Sequence, residues 1–192
     1  MFDPTLIPLV QRLERDPEDQ EALQALWRAL TDRGEHQTLA VLAEKIALRR
    51  RSPAAVVDLL HRAAELWSRD LNRDDRAVPL WQKVLEIDPQ HELAMAGLAG
   101  AWTRAGRIDL AAPLHKRILE RVRDPRLRLP ILEQIARARA EAGDVAGEIA
   151  ALQEIVALEI PVAATVEHRR TLARLLVQRG RDLFAILLLQ PR

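Results

Sequence analysis

Five histidines and 28 carboxylates are the residues of this chain with ready chemical capacity, and their spacing decides what they can do. His91-Glu92 opens like a zinc-protease helix, in which two histidines four residues apart share one helical face. Four residues on, however, stands Met95, so the second ligand is missing and His91 reads as a solvated first-turn residue. His61 and His115 stand isolated from other histidines, and the carboxylates are scattered as on solvated helix faces. With no cysteine, thiolate metal sites, disulfides and thiol nucleophiles are impossible. The only serines, Ser52 and Ser68, lie in no Gly-x-Ser-x-Gly context, and no P-loop or dinucleotide glycine motif occurs. A catalytic centre needs converging nucleophile, acid–base and charge-stabilising groups. Nothing here assembles one, so the expectation is a protein without catalytic residues, metal or cofactor.

What positions these side chains is a globular chain, 48% hydrophobic and 30% charged. Its 29 basic residues against 28 acidic ones leave a net charge of +1, too little for wholesale wrapping of nucleic acid. The charge is uneven, with a net of −4 over residues 1–96 and +5 over residues 97–192. Met1-Phe2-Asp3-Pro4 lacks the basic and apolar regions of a secretory leader. The longest apolar run, Leu183 to Leu189, falls far short of the ~20 residues of a membrane span. A soluble cytoplasmic protein is expected, with no membrane partner.

The chain repeats itself. Pro79-Leu-Trp-Gln-Lys-Val-Leu-Glu86 returns 34 residues later as Pro113-Leu-His-Lys-Arg-Ile-Leu-Glu120, with Ala77 matching Ala111. A second pattern precedes it: Leu98-Ala99-x-x-Trp102-x-x-Ala105-Gly106, then Ile135-Ala136-x-x-Arg139-x-x-Ala142-Gly143. It recurs around Leu172-Ala173 with Gly180, and around Leu26-Trp27 with Gly34. Apolar residues at i, i+3, i+4 and i+7 make one face of an amphipathic helix. A glycine just past the last turn can take the left-handed conformation that ends it. Asp75, Asp109, Asp144 and Asp182 are placed to cap the helices that follow. Pro79 and Pro113 fall in or just beyond the first turn of theirs, while Pro130 begins or kinks a helix. Asp-Pro pairs at 16–17, 88–89 and 124–125 separate successive helix pairs. No segment alternates as a strand. The reading is a cap helix at about 5–15 and helix pairs at about 18–49, 53–88, 91–122, 129–158 and 162–189.

This pattern resembles the tetratricopeptide repeat (TPR) family. Leu98, Ala99, Trp102, Gly106, Ala111, His115 and Ile118 fit one unit of that family. Ala64, Trp67, Ala77, Trp81, Val84 and Pro89 fit the unit before it, with one extra residue in its turn. Trp27 stands where a small residue is expected, Arg139 where an aromatic is, and His115 replaces the bulky Trp81 as a packing histidine. The resemblance implies an all-α fold, a right-handed α-solenoid of stacked helix-turn-helix repeats forming a single domain over 1–192. It also implies a concave groove lined by the first helix of each pair. That groove would hold a protein or peptide partner with Gln24, Arg28, His61, Glu65, Leu93, Ala96, Gly100, Arg104, Arg137, Arg170 and Arg174. Gly97 and Gly100 inside one first helix allow either close helix packing or a shallow shelf for a partner. Arg137, Arg170 and Arg174 can pair with acidic side chains on a partner.

The final stretch is apolar on every side, where a terminal repeat helix needs a polar outer face. Phe184, Ile186, Leu187, Leu188 and Leu189 are therefore expected to contact a second copy or another protein. The expected function is a non-enzymatic protein-interaction scaffold, possible as a homo-oligomer. The alternative is an accessory subunit of an enzyme or nucleic-acid complex that uses the Arg-rich stretch from Arg117 to Arg181. Against nucleic acid, only Phe2 and Phe184 stand beside core-like tryptophans, so stacking platforms are missing.

Overall fold

The computed structural model describes residues 4–179, and every regular element among them is helical. A 3-10 turn, Pro4–Leu6, leads into α1 (Ile7–Arg15). Then follow α2 (Gln20–Asp32), α3 (His36–Ala47), α4 (Pro53–Glu65), α5 (Asp74–Ile87) and α6 (Glu92–Arg104). After them come α7 (Ile108–Arg121), α8 (Pro125–Glu141), α9 (Val145–Val156) and, behind a second 3-10 turn, α10 (Val166–Gln178). The chain divides into two compact units, Met1–Ala101 and Trp102–Arg192. No described helix is long and apolar enough to cross a membrane.

Each unit owns an apolar core. In the N-terminal unit Leu26, Leu30, Leu39, Leu59, Leu60 and Trp81 are almost wholly enclosed. In the C-terminal unit Leu132, Ile155, Leu172 and Leu176 fill the same role, with Leu129 and Ile135 packed against them. Enclosing one such side chain contributes about 1.5–3 kcal/mol, so these rows hold neighbouring helices together.

The glycine punctuation works as the sequence suggests. Gly34, Gly106 and Gly143 have φ of +69°, +69° and +71°. Past each, the next amide reaches back to close the helix: Glu35 to Leu30 O at 2.9 Å, Arg107 to Trp102 O at 2.8 Å, Asp144 to Arg139 O at 2.9 Å. These six-to-one bonds satisfy carbonyls the helix leaves over. Where the second pair has no glycine, Asn72 takes the position at φ +52°, as a residue with a short polar side chain can.

Local details depart from expectation. The extra residue of the second pair sits in no loop. It is absorbed by a π-helical turn over Leu66–Asp70, closed by Leu71 N donating to Leu66 O at 3.1 Å. Helix α8 begins at Pro125, not near 129, because Asp124 caps it by accepting from Arg126 N at 2.8 Å. Pro130 therefore lies inside α8, just as Pro79 lies inside α5 and Pro113 inside α7. Of the expected caps, Asp144 accepts from Gly147 N at 2.9 Å. Asp75 and Asp109 lie two residues past the cap positions, which Arg73 and Arg107 hold, and pair with those arginines instead at 2.7 and 3.4 Å. Asp182 is outside the described residues.

Candidate functional site

In the N-terminal unit the expected contact residues fall on three first helices. Gln24 and Arg28 stand one turn apart on α2 and are exposed; His61 and Glu65 stand one turn apart on α4 and are half-buried. On α6, Ala96 is exposed and Leu93 keeps 64% of its surface, while Gly100 is buried. Beside it, a Cβ on Gly97 would run into the Trp81 indole, so the small residue there makes room for a core aromatic. Close packing, rather than a shelf, accounts for Gly97. The misfit Trp27 is also explained, because the Arg62 guanidinium lies 3.5 Å from its ring centroid. That cation–π stack ties α2 to α4 and covers an indole that a small residue would not have needed to hide.

The histidines acquire roles that their isolation in sequence conceals. His91 is half-buried, not solvated, and precedes α6 as its cap: Nδ1 accepts from Ala94 N at 3.1 Å. Its ring meets that of His61 at 5.0 Å between centroids. Burial, reinforced by His91, pushes the His61 pKa down to about 4, which keeps its imidazole neutral at pH 7. Burial likewise raises the Glu65 pKa, against the pull of Arg69 at 2.8 Å.

In the C-terminal unit Arg104, Arg137, Arg170 and Arg174 are all exposed. Arg170 is already occupied by Glu167 at 2.6 Å. Glu133 of α8 meets His168 of α10 at 3.2 Å, an interhelical contact that no sequence spacing announced. Among the described residues, Arg137 and Arg174 carry no ion pair. Phe184, Ile186, Leu187, Leu188 and Leu189 lie outside the described residues. Groups of three or more His, Cys, Asp or Glu able to hold a metal ion are absent among the described residues.

Solved structures resemble the chain. MamA from AMB-1 superposes with a TM-score of 0.65 at 17% identity, covering 88% of this chain and 87% of that one. A MamA segment (41-end) from Desulfovibrio magneticus RS-1 gives 0.63 at 17% identity, over 88% and 89%. BtubC (BKLC) from P. vanneervenii gives 0.60 at 13% identity, over 95% and 83%. At these identities the likeness concerns the fold: an all-α, TPR-like helical solenoid. No family model and no curated protein matches the chain.

Proposed function

We propose that this chain is a non-enzymatic interaction module that holds a segment of a partner protein against its first-helix faces. In the N-terminal unit these are the faces of α2, α4 and α6, around Gln24, Arg28, His61, Glu65, Leu93 and Ala96. In the C-terminal unit they are those of α8 and α10. The proposal includes one row of modules along the chain, with copies joined through the apolar run Leu183–Leu189.

The fold class supports the reading, and one observation gives it chemical direction. Arg137 and Arg174 stand exposed and unpaired while their neighbours Arg170 and Glu133 are engaged. Unpaired guanidinium groups on a folded surface cost little in water and select carboxylates by planar, bidentate hydrogen bonding. An acidic segment is the partner chemistry that suits the C-terminal unit, and an apolar one suits the strip that Leu93 and Ala96 leave in the other. The test is affinity capture from the native host followed by mass spectrometry, run with the unaltered chain and with Arg137→Glu/Arg174→Glu. A discrete partner whose recovery falls with the charge reversal and with added salt supports the reading. Equal recovery by both chains contradicts it.

A further inference from the structure

The C-terminal unit contains a half-open cavity of about 500 Å³, lined mainly from α7 and α8, with Thr103 of α6 and Glu154 of α9. Its origin can be traced to two departures from the repeat pattern. At the position where one repeat earlier Trp81 keeps only 1% of its surface and fills the gap between helices, the next repeat has the smaller His115. Where Trp102 marks the aromatic position of α6, α8 has Arg139, drawn aside by Asp144 at 2.7 Å. Gly147 makes that pairing possible, since a Cβ there would collide with Asp144 and Arg139. Both bulky fillers are absent from the same place, and His115 and Arg139 both line the space left behind.

The walls have a definite character. Ile108, Leu119 and Ile135 supply apolar surface. His115, 5% exposed, sits among them with Nε2 bonded to Thr103 Oγ1 at 3.0 Å and Nδ1 without a partner. Burial lowers the pKa of His115, so the ring adds no charge at neutral pH. Around the opening, Arg128 is held by the carbonyls of Leu119 (2.6 Å) and Val122 (3.1 Å) and faces Glu154 at 3.6 Å. Lys116 and Arg123 are exposed and, among the described residues, unpaired, with Glu120 the remaining carboxylate of the lining. After internal pairing the rim keeps a surplus of one positive charge.

We propose that this cavity binds a free small molecule, an aromatic monocarboxylate. Its ring takes the place of the indole that Trp81 provides in the preceding repeat, and its carboxylate lies at Lys116 and Arg123. The volume lies within the range of small-molecule sites, and the combination of apolar wall with few polar groups is theirs as well. A single-ring or fused-ring monoanion fits within the cavity and matches the net rim charge. No residue of this lining is among those assigned to the partner-binding faces, so failure of either assignment leaves the other standing.

The probe is indole-3-acetate, with tryptamine as the cation of the same ring, titrated into the full chain and followed by calorimetry and by ligand-observed NMR. The expected result is saturable binding of indole-3-acetate at a 1:1 ratio, with tryptamine weaker by about tenfold or more, as opposite rim complementarity demands. His115→Trp, which puts back the residue of the earlier repeat, should abolish binding while the far-ultraviolet dichroism stays helical. Should that variant misfold, Ala112→Phe fills the same space from α7. Lys116→Glu/Arg123→Glu, both on the surface, should weaken indole-3-acetate by about tenfold and remove the preference over tryptamine. Overturning results are no saturable binding of indole-3-acetate at millimolar concentration, equal binding by the filled-cavity variants, or equal affinity for the two probes. Binding of an acidic tryptophan-containing peptide but not of indole-3-acetate would also overturn it.

Discussion

Replacing Gly106 tests the physics of the repeat boundary directly. This residue has φ +69° and nothing lies within 4 Å of where a Cβ would be, so any cost comes from the backbone and not from a clash. Holding an L-residue in the left-handed region costs about 1–2 kcal/mol. Gly106→Ala recovers about 0.4–1 kcal/mol by stiffening the unfolded chain. The net loss is then about 1 kcal/mol, or a melting temperature lower by about 2–4 °C for a chain of this size. Gly106→Val should lose more, because branching at Cβ crowds the left-handed conformation further. Gly106→Asn should lose least, since Asn72 at φ +52° already serves the same purpose in the second pair. Thermal melts followed at 222 nm check the order Gly, Asn, Ala, Val. Identical melting of all four would refute the argument that this turn needs a left-handed residue.

The His61–His91 pair makes stability depend on pH. Because the folded pKa of His61 is about 4 against an ordinary 6.5, the unfolded chain binds the extra proton first as pH falls. Stability therefore drops between about pH 6.5 and 4 and gains no further loss from this group below that. His61→Gln should flatten that part of a melting-temperature profile, and an unchanged profile would contradict the burial argument. Asp144→Ala removes the cap of α9 and the partner of Arg139, and should lower stability by about 1 kcal/mol in urea unfolding; no change would show that the cap is idle. Leu187→Glu/Leu189→Glu should reduce particle mass in light scattering while helicity is retained, and an unchanged mass at every concentration rejects self-association through that segment.

Much of the fold was legible because the repeat writes its boundaries in residues with special backbone demands. Gly34, Gly106 and Gly143 announce left-handed turns, and all three adopt them. Less legible were features decided by register within a turn. Asp75 and Asp109 carry the right side chain for capping, but each is the second residue of its helix and turns back to the arginine at the cap position. The π-helical turn at Leu66–Asp70 was visible only as one residue too many, since a sequence count does not say whether the surplus goes into loop or helix. Asp124 capping α8 ahead of Pro125 was hidden by Pro130, which looked like the stronger signal.

The candidate site was partly readable for the same reason. Surface positions on first helices follow from helical spacing, and most expected contact residues are indeed exposed or half-exposed, Gly100 being the buried exception. Pairings across helices were not readable, because they depend on how two helices face each other. Arg62 over Trp27, His61 against His91, and Glu133 with His168 belong to this class. His115 could be recognised as a substitute for Trp81, but the volume lost with the indole only becomes a cavity once Arg139 is seen drawn towards Asp144.

Site-specific photocrosslinking in the native host tests the first-helix reading most directly. A photoreactive residue is placed in turn at Leu93 and Arg137, on α6 and α8, and at the exposed second-helix positions Gln82 and Gln153, on α5 and α9. The account predicts adducts with a discrete protein from Leu93 and Arg137 and none from Gln82 or Gln153. Adducts of equal yield from all four positions, or only from the second helices, would contradict it.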